Sequence, residues 1–289
     1  MLVAFATSSK VPDLTSDDRL LVDALSARGV AGEPAVWNDP AAEWRRFGAV
    51  IIRSTWDYHL FPDAFAAWLD VLESASVPVW NPPSLVRWNA EKTYLRDLSA
   101  RGVAVVPTLW VERGSLVSLG SVLAERGWND AVVKPAISAS AHRTWRTSVS
   151  RADADEPVFH AMVAEGRVLV QPYLSAVGEV GEWSLLFYGG EYSHAVLKRP
   201  ASGDFRVQKE FGGTATLAEP VSEVIEAARM ALVQSERGSA RSLYARVDGC
   251  EIDGRFVLME IELIEPDLFL RSHPRAPDRL AAAFVELSS

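Results

Sequence analysis

The chain has 289 residues and a formal net charge of −9, and its 48% apolar and 23% charged shares are ordinary for a globular protein. Its length predicts two or three lobes, while its acidity argues against nucleic-acid binding, which needs a basic face. No stretch approaches the roughly 20 apolar residues of a membrane span, no signal peptide is expected, and a single cysteine favours the reducing cytoplasm.

The first 84 residues alternate between predicted strands and predicted helices. Short apolar runs predict strands at residues 2–6, 33–37, 49–53 and 77–80, and helical patterns cover residues 17–28 and 62–74. Alternating strands and helices with short connections imply a parallel sheet that is covered by helices on both faces. We therefore expect an N-terminal Rossmann-like domain over residues 1–84.

A polar and aromatic segment, RSTWDY, begins at the end of the strand at residues 49–53. Ligands of open parallel sheets bind beyond the carboxyl ends of the strands, so this segment is a candidate for substrate contact. Its residues are Arg53, Ser54, Thr55, Trp56, Asp57 and Tyr58. The alternative is structural, with Arg53 and Asp57 forming an ion pair that braces the loop.

Two lysines upstream are candidates for phosphate binding. Lys134 lies at the end of the apolar strand at residues 131–135, where an ammonium group needs an anionic partner, and Lys92 lies in a helical pattern that opens at Asn89. The small and hydroxyl residues at 136–144 can bring backbone N–H groups and hydroxyls close to phosphate oxygens, although the chain has no Walker A sequence. A solvated helix lysine and an ordinary surface turn are the alternatives.

Three further cations lie along the chain where they can face an anionic substrate. A predicted strand at residues 194–200 contains Lys198 near its end, and Arg206 follows in the next segment. Arg206 and Arg246 can each offer a fork of donors to a planar carboxylate or phosphate. Solvent exposure is the simpler interpretation for the neighbouring Arg199.

Residues 244–263 predict a β-hairpin that points acids into a site. Asp248 precedes the turn, and Glu260 and Glu262 lie two apart in the apolar run VLMEIEL, so they share one face of the strand. The predicted turn contains Gly249, Asp253 and Gly254. The opposite face of the second strand is predicted to carry Met259, Ile261 and Leu263.

Two carboxylates on one face of a hydrophobic strand repel each other and resist burial, and a bound cation removes both problems. Ligation by oxygen alone favours Mg²⁺ or Mn²⁺ over zinc, and protein-bound Mg²⁺ usually completes its coordination with substrate phosphates. The alternative is a solvated edge strand whose acids serve solubility.

Five segments in order along the chain resemble the ATP-grasp ligase superfamily, which includes glutathione synthetase and D-alanine–D-alanine ligase. They are NAEKTYLRDLSARGVAVVPT, VVKP with the following small-residue loop, VLVQPYL with GEWSLLF, YARVD, and LMEIEL. The resemblance covers about residues 85–270 and implies an α/β ATP-grasp fold, in which two α+β lobes clasp ATP beside the N-terminal parallel-sheet domain. The implied lobes are a central small lobe at residues 85–170 and a C-terminal lobe with a metal site at residues 171–289.

The resemblance also implies a role for each candidate residue. Lys92 and Lys134 would hold ATP phosphates, and the loop containing Ser138 and Ser140 would close over the γ-phosphate. The remaining assignments are Gln171, Tyr173 and Leu174 at adenine; Glu182, or less favourably Glu179, at ribose; Asp248, Glu260 and Glu262 at Mg²⁺; and Lys198, Arg206 and Arg246 at the transferred phosphate and substrate. Two departures stand out: Glu262 replaces the usual asparagine, and the loop has Ser and Ala where the family has Gly.

The implied activity is an ATP- and Mg²⁺-dependent ligation, in which a carboxylate becomes an acyl phosphate that an amine attacks. A small amino-acid-like substrate is expected, because no docking domain for a larger partner is visible; a homo-oligomer is left open. The RSTWDY segment resembles small superfamily members that include a ring-closing ligase of antibiotic biosynthesis, which implies O-ureido-D-serine as substrate. Ligation of two amino acids or peptides, and a grasp fold that binds nucleotide without turnover, are the alternatives.

Overall fold

The computed structural model describes residues 1–236 and 241–289, which form a mixed α/β structure around three sheets. The first sheet is parallel, with strand order β2-β1-β3-β4. Its elements are β1 (Leu2–Thr7), α1 (Ser16–Ser26), β2 (Ala31–Val36), β3 (Ala49–Ser54), α2 (Pro62–Ser74) and β4 (Val79–Trp80). Every residue of β3 is buried, because Ile51 shares one core with α1 and Ile52 shares another with α2. The predicted parallel sheet is thus confirmed, and RSTWDY begins within β3.

Two short helices, α3 (Pro83–Asn89) and α4 (Tyr94–Ala100), lead to an antiparallel second sheet of strand order β5-β8-β6-β7. Its elements are β5 (Leu109–Val111), α5 (Leu119–Arg126), β6 (Asp130–Pro135), β7 (Trp145–Ser148), α6 (Ala152–Glu165) and β8 (Val168–Pro172). Because side chains alternate along a strand, Ala131 and Val133 are buried in a core shared with α5 and α6, while Val132 and Lys134 line a cavity.

The third sheet is antiparallel, with strand order β11-β10-β9-β12-β13. Its elements are α7 (Ser175–Glu179), β9 (Glu182–Tyr188), β10 (Glu191–Arg199), β11 (Thr214–Leu217), α8 (Ser222–Ser235), β12 (Tyr244–Ile252), β13 (Arg255–Glu262) and α9 (Ala276–Leu287). One face, which includes Leu185 and Val247, shares a core with α4 and α8. The other face turns Glu182, Arg246 and Asp248 toward the cavity.

Packing ties the segments together across the three sheets. Tyr94 and Leu98 of α4 lie in the core of the third sheet, although the sequence predicts them within the small lobe. Helix α9 returns to the first sheet, where Leu280 and Phe284 share a core with Phe5. The domain limits at residues 84 and 170 stay a prediction. In the described part of the chain, no helix has both the length and the apolar content needed to cross a membrane.

Candidate active site

A cavity of about 780 Å³ is lined by the second and third sheets and by the loop after β3. Most of the sequence-predicted site residues meet there: Trp56, Tyr58, Lys92, Lys134, Ser138, Ser140, Gln171, Tyr173, Leu174, Glu182, Lys198, Arg206, Arg246, Asp248, Glu260 and Glu262. Four members of RSTWDY, namely Arg53, Ser54, Thr55 and Asp57, are not among the lining residues.

The two lysines differ in how their charge is balanced. Lys92 donates from Nζ to the Ser138 carbonyl oxygen at 2.8 Å and forms an ion pair with Glu260 Oε1 at 2.8 Å. For Lys134, no carboxylate of residues 1–236 or 241–289 lies within ion-pair distance. Burial lowers the pKa of Lys134, with the charge of Glu260 opposing that effect. An anion in the cavity, such as a phosphate, would restore the balance at Lys134.

The loop at residues 137–144 lies over one side of the cavity and reaches the first sheet's loops. Ser140 and Ala141 both have left-handed backbone angles, with φ of 50° and 53°, and both line the cavity. The His142 ring lies 5.2 Å from the His59 ring, centroid to centroid. The loop therefore lies between Lys92, whose Nζ donates to the Ser138 carbonyl oxygen, and the segment that follows RSTWDY.

The link between the second and third sheets provides an apolar slot. Leu174 packs with Val177, Val207 and Met259, and all four line the cavity. The Tyr173 ring lies under the Arg146 guanidinium, with its centroid 3.8 Å away. The nearby Gln171 side chain is already engaged, since its Nε2 donates to Thr108 Oγ1 at 2.9 Å. The apolar side chains of such a slot suit a flat heteroaromatic ring.

Glu182 and Lys198 form a buried pair beside Asp248. Lys198 Nζ lies 2.5 Å from Glu182 Oε1 and 3.5 Å from Asp248 Oδ2. Burial raises the pKa of Glu182, and the charge of Lys198 opposes part of that rise. For Lys198, the charges of Asp248 and Glu182 outweigh the effect of burial, so the pKa of its ammonium group is raised. Glu179, the less favoured ribose candidate, is exposed and lies outside the cavity lining.

The hairpin of β12 and β13 places the three acids together as the alternation predicts, with Glu262 opposite Arg246 and Glu260 opposite Asp248. Two details of the prediction are wrong. The register shifts after Asp248, so Gly249 pairs with Leu258 within the strand and is not part of the turn. Met259 is therefore the extra residue of a β-bulge, and it lies at the cavity with the acids instead of on the core face.

Gly249 is required at the bulge, because a Cβ there would collide with the Phe256 ring and the Val257 carbonyl oxygen. The same bulge allows Leu258 and Ile261, three residues apart, to enter one core. It thus lets β13 keep its apolar side buried while Glu260 and Glu262 both face the cavity.

Each of the three acids is held by a cation from the protein. Arg246 donates from Nε to Asp248 Oδ1 at 3.0 Å and from Nη2 to Oδ2 at 2.8 Å, and it also pairs with Glu262. Lys92 pairs with Glu260. Burial would raise the pKa of Glu260, but Lys92 and Lys134 hold it below its usual value. Burial raises the pKa of Glu262 to about 7, against the pull of Arg246.

The acids are suitable for a hard divalent cation but are not arranged around one. Among the described residues, no group of three or more acids, histidines or cysteines is positioned to hold a metal ion. The donors available on β12 and β13 are carboxylate oxygens on one face, which match the ligand preference of Mg²⁺. Binding would require Lys92 and Arg246 to release their carboxylates, and the phosphates of a nucleotide are the natural new partners for both cations.

We expect Mg²⁺ binding to be coupled to the ionisation of Glu262. With a pKa raised from 4.5 to about 7, Glu262 holds a proton below pH 7 that a metal must displace. The affinity for Mg²⁺-nucleotide should therefore fall from pH 8 to pH 6, with more proton release at pH 6. Calorimetry in two buffers of different ionisation enthalpy measures this release, and equal release from Glu262→Gln would contradict the assignment.

The same shift predicts the stability of the metal-free protein. Because the folded pKa lies above the unfolded one, the contribution of Glu262 to stability is fully present below about pH 4.5 and is lost as pH rises through about 7. Melting curves with and without Mg²⁺-nucleotide should therefore diverge more at pH 8 than at pH 6.

Arg206 lines the cavity but is already bound within its own loop. It donates from Nε and Nη2 to Asp204 at 3.0 and 2.8 Å, and its guanidinium lies 3.5 Å from the centroid of the Phe211 ring. Its hydrogen bond holds the pKa of Asp204 well below the usual range. This geometry makes Arg206 an organiser of the 204–211 loop at the cavity edge, and its contact with substrate stays a prediction.

Within RSTWDY, the structure separates the cavity residues from the buried ones. Arg53 is 3% exposed; its Nε donates to Asp18 Oδ1 at 2.8 Å and its Nη2 donates to the Pro266 carbonyl oxygen at 2.8 Å. Asp57, proposed as its alternative partner, instead accepts from Trp37 Nε1 at 2.8 Å. Every residue of β3 up to Ser54 is buried, and Arg53 does not line the cavity. Arg53 therefore supports the site indirectly, through its hydrogen bonds to Asp18 and to the Pro266 carbonyl oxygen.

No candidate site residue after Glu262 was predicted from the sequence, although the segment that follows β13 also lines the cavity. Glu265, Asp267, Phe269, Arg271 and Ser272 all line the cavity. The available signal was the run IEPDLFLRS, which combines acids, an arginine and a proline directly after a strand that carries candidate ligands. Trp56 joins this segment to RSTWDY, since its Nε1 donates to the Glu265 carbonyl oxygen at 3.0 Å.

Comparison with known proteins gives relatives over the whole chain. Residues 3–81 match the family model described as D-cycloserine synthetase DcsG, N-terminal domain. The cycloserine biosynthesis protein DcsG of Streptomyces lavendulae is 31% identical over 294 residues, which cover 99% of this chain and 98% of that protein. The crystal structure of D-cycloserine synthetase DcsG superposes with a TM-score of 0.90 at 30% identity, covering 100% of both chains.

A more distant structure agrees in fold alone. D-alanine–D-alanine ligase from Bacillus anthracis, complexed with ATP, superposes with a TM-score of 0.71 at 16% identity and covers 100% of this chain and 97% of its own. The fold and the cavity thus define an ATP-grasp ligase, as the sequence predicted. Within that class, the chain belongs to the family of DcsG. The expected class of enzyme, an ATP-dependent carboxylate–amine ligase, is confirmed by these relatives.

Proposed function

We propose that the protein uses Mg²⁺-ATP to convert the carboxylate of a small amino-acid derivative into an acyl phosphate, which an amine of the same molecule attacks. The observation that carries the proposal is the meeting of two sets of groups in one cavity. Lys92 and Lys134 approach from the side of the second sheet, and the acids and cations of β10, β12 and β13 approach from the third.

Different residues along the cavity would bind different parts of the nucleotide and the substrate. The apolar slot around Leu174 and Met259 would take the adenine, and Glu182 would take the ribose. Lys134, which has no carboxylate partner among the described residues, would hold a phosphate oxygen. Arg246, once released from Asp248 and Glu262 by the metal, would face the transferred phosphoryl group and then the acyl oxyanion. Fixed cations stabilise such developing charge without covalent participation.

Asp248, Glu260 and Glu262 are the residues that would hold Mg²⁺. When bound, the metal would neutralise charge on the nucleotide phosphates and orient them for transfer. The negative charge of Glu262, where the superfamily usually has asparagine, makes this donor set more anionic. Burial raises the pKa of Glu262 and the charges of Asp248 and Glu260 add to the effect, so a bound cation would favour its ionised form.

The substrate we propose is O-ureido-D-serine, on the strength of the full-length relationship to DcsG. ATP would phosphorylate its carboxylate, giving ADP and an acyl phosphate. The nitrogen attached to the side-chain oxygen would attack the acyl carbon, so that a C–N bond forms and phosphate leaves. One water would hydrolyse the carbamoyl group to carbon dioxide and ammonia, leaving D-cycloserine. We also propose that the enzyme acts on this small molecule in the cytoplasm.

A substrate panel scored by ADP release tests this proposal. O-ureido-D-serine alone should give Mg²⁺-dependent ADP release with D-cycloserine and ammonia in equal amounts. The panel should also contain D- and L-amino acids, singly and in pairs, and dipeptides. ADP release that needs two amino acids would contradict ring closure and favour intermolecular ligation.

Nucleotide binding measured by calorimetry supplies the control for an inactive panel. Binding of ATP or ADP without turnover of any panel member would favour a nucleotide-binding protein over an enzyme of this specificity. No binding at millimolar concentration would contradict the ATP site itself. Lys134→Ala should weaken nucleotide binding in either case, because it removes a buried ammonium group that no carboxylate of the described residues pairs with.

A further inference from the structure

The segment after β13 accepts side-chain hydrogen bonds at three successive backbone carbonyl oxygens. The Glu265 oxygen accepts from Trp56 Nε1 at 3.0 Å, the Pro266 oxygen from Arg53 Nη2 at 2.8 Å, and the Asp267 oxygen from Arg246 Nη1 at 3.3 Å. Arg53 and Trp56 come from the carboxyl end of the first sheet, while Arg246 comes from β12 of the third. This strap, residues 265–267, is thus held in place from both sides of the cavity.

One carboxyl group of the strap, that of Glu265, has no partner in the described part of the chain. Glu265 is 8% exposed and lines the cavity, and its side chain has no hydrogen bond or ion pair with any residue of 1–236 or 241–289. Burial raises its pKa well above the usual value, and the charges of Glu262 and Glu260 add to the effect. A buried carboxyl group without a partner is costly, so the occupant of the cavity is the natural source of one.

The other buried acids of the cavity are already engaged. Glu182 pairs with Lys198, Asp248 and Glu262 pair with Arg246, and Glu260 pairs with Lys92. Asp267, on the strap itself, accepts the Phe269 N–H at 2.9 Å. Glu265 is therefore the buried acid of the described cavity lining that is free to receive a new donor.

We propose that Glu265 binds the α-ammonium group of the amino-acid substrate, with Arg53 and Trp56 as positioning residues that fix its backbone. The inference rests on the proposed function in taking the substrate to be an amino acid. The neighbouring carboxylates of Glu262 and Glu260 favour a cation as the partner, and a cation at Glu265 would in turn favour its ionised form. Pairing with an ammonium group compensates the desolvation that burial imposes on the carboxylate.

The assignment also gives the α-amine a role in orienting the substrate. The α-amine survives ring closure, because attack on its own acyl carbon would close a strained three-membered ring. With the α-ammonium group held at Glu265, the carboxylate and the side-chain nitrogen are the groups left to react.

Ligand binding to the enzyme saturated with Mg²⁺ and a non-hydrolysable ATP analogue tests the proposal. O-ureido-D-serine and its analogue without the α-amine should differ about tenfold or more in affinity for the native protein, as expected for one charge-assisted hydrogen bond. In Glu265→Gln that preference should largely disappear, with the affinity for the amine-free analogue unchanged. Trp56→Phe should reduce the preference and leave nucleotide binding unchanged.

Glu210→Gln is the matched control, since Glu210 also lines the cavity but is exposed; its amine preference should equal that of the native protein. A Glu265→Gln variant that keeps the preference, or that loses affinity for both ligands equally, would overturn the assignment. If O-ureido-D-serine does not bind but another amino acid does, the proposed substrate fails, and the same comparison with that amino acid and its amine-free analogue decides the role of Glu265. If no amine-bearing ligand is preferred, the inference is wrong.

Discussion

Replacing Glu260 by glutamine is expected to reduce kcat by about two orders of magnitude or more, because losing a group next to a metal ligand already costs 10–100-fold and this change removes a proposed ligand itself. The amide has no charge to offer a divalent cation, and it leaves Lys92 without its partner at 2.8 Å. Asp248→Asn should behave alike, since Asp248 lies opposite Glu260 on the neighbouring strand. Steady-state kinetics and calorimetry should show Mg²⁺-ATP binding weakened more than adenosine binding.

Asp253→Asn is the control for these variants. Asp253 lies in the exposed turn of the same hairpin with a left-handed φ of 50°, a conformation that asparagine also adopts readily. It should retain native activity and native nucleotide binding. Near-normal turnover by Glu260→Gln would show that the metal assignment is wrong, whatever the control does.

Removing the Arg53 side chain is expected to lower the free energy of unfolding by about 3–5 kcal/mol, the usual cost of breaking a buried ion pair from one side. Arg53→Ala leaves the carboxylate of Asp18, 2% exposed, without its cation and frees the Pro266 carbonyl. The melting temperature should fall, and the KM for substrate should rise with it, because the strap that carries Glu265 loses one of its hydrogen bonds. Exposed Arg45 provides the control, for which Arg45→Ala should change stability by no more than about 0.5 kcal/mol.

A different result is expected if Arg53 binds the substrate directly. Direct substrate binding by Arg53 would raise the substrate KM about tenfold, as one charged hydrogen bond implies, with the ATP KM and the melting curve unchanged. A double-mutant cycle of Arg53→Ala with Asp18→Ala should yield a coupling energy of about 0.5–3 kcal/mol if the two residues brace each other. A coupling energy near zero would contradict the brace.

Local periodicity was sufficient for the elements that hold the site. Alternating strand and helix patterns predicted the parallel sheet, and the period of two in VLMEIEL predicted that Glu260 and Glu262 share a face. The bulge could not be predicted in this way. It depends on Gly249 making room for Phe256 across the hairpin, so the position of Met259 follows from packing between strands.

The partners of buried charges were the other gap. Asp18 lies 35 residues from Arg53, so no spacing rule could select it over the nearby Asp57. Glu265 was missed because its proposed role depends on the lack of a partner among the described residues and on three donors that reach the strap from other parts of the chain. Such features arise from tertiary structure, and the sequence shows only the residues that will supply them.

Isotope transfer from the substrate carboxylate tests the central claim most directly. With both carboxylate oxygens of the substrate labelled with ¹⁸O, an acyl phosphate passes one of them to phosphorus, and attack at the acyl carbon then breaks the C–O bond. Mass spectrometry of the released phosphate should therefore find one ¹⁸O in each phosphate formed with product. Unlabelled phosphate would show that ATP is hydrolysed by water or activates another group, and would contradict carboxylate activation by this enzyme.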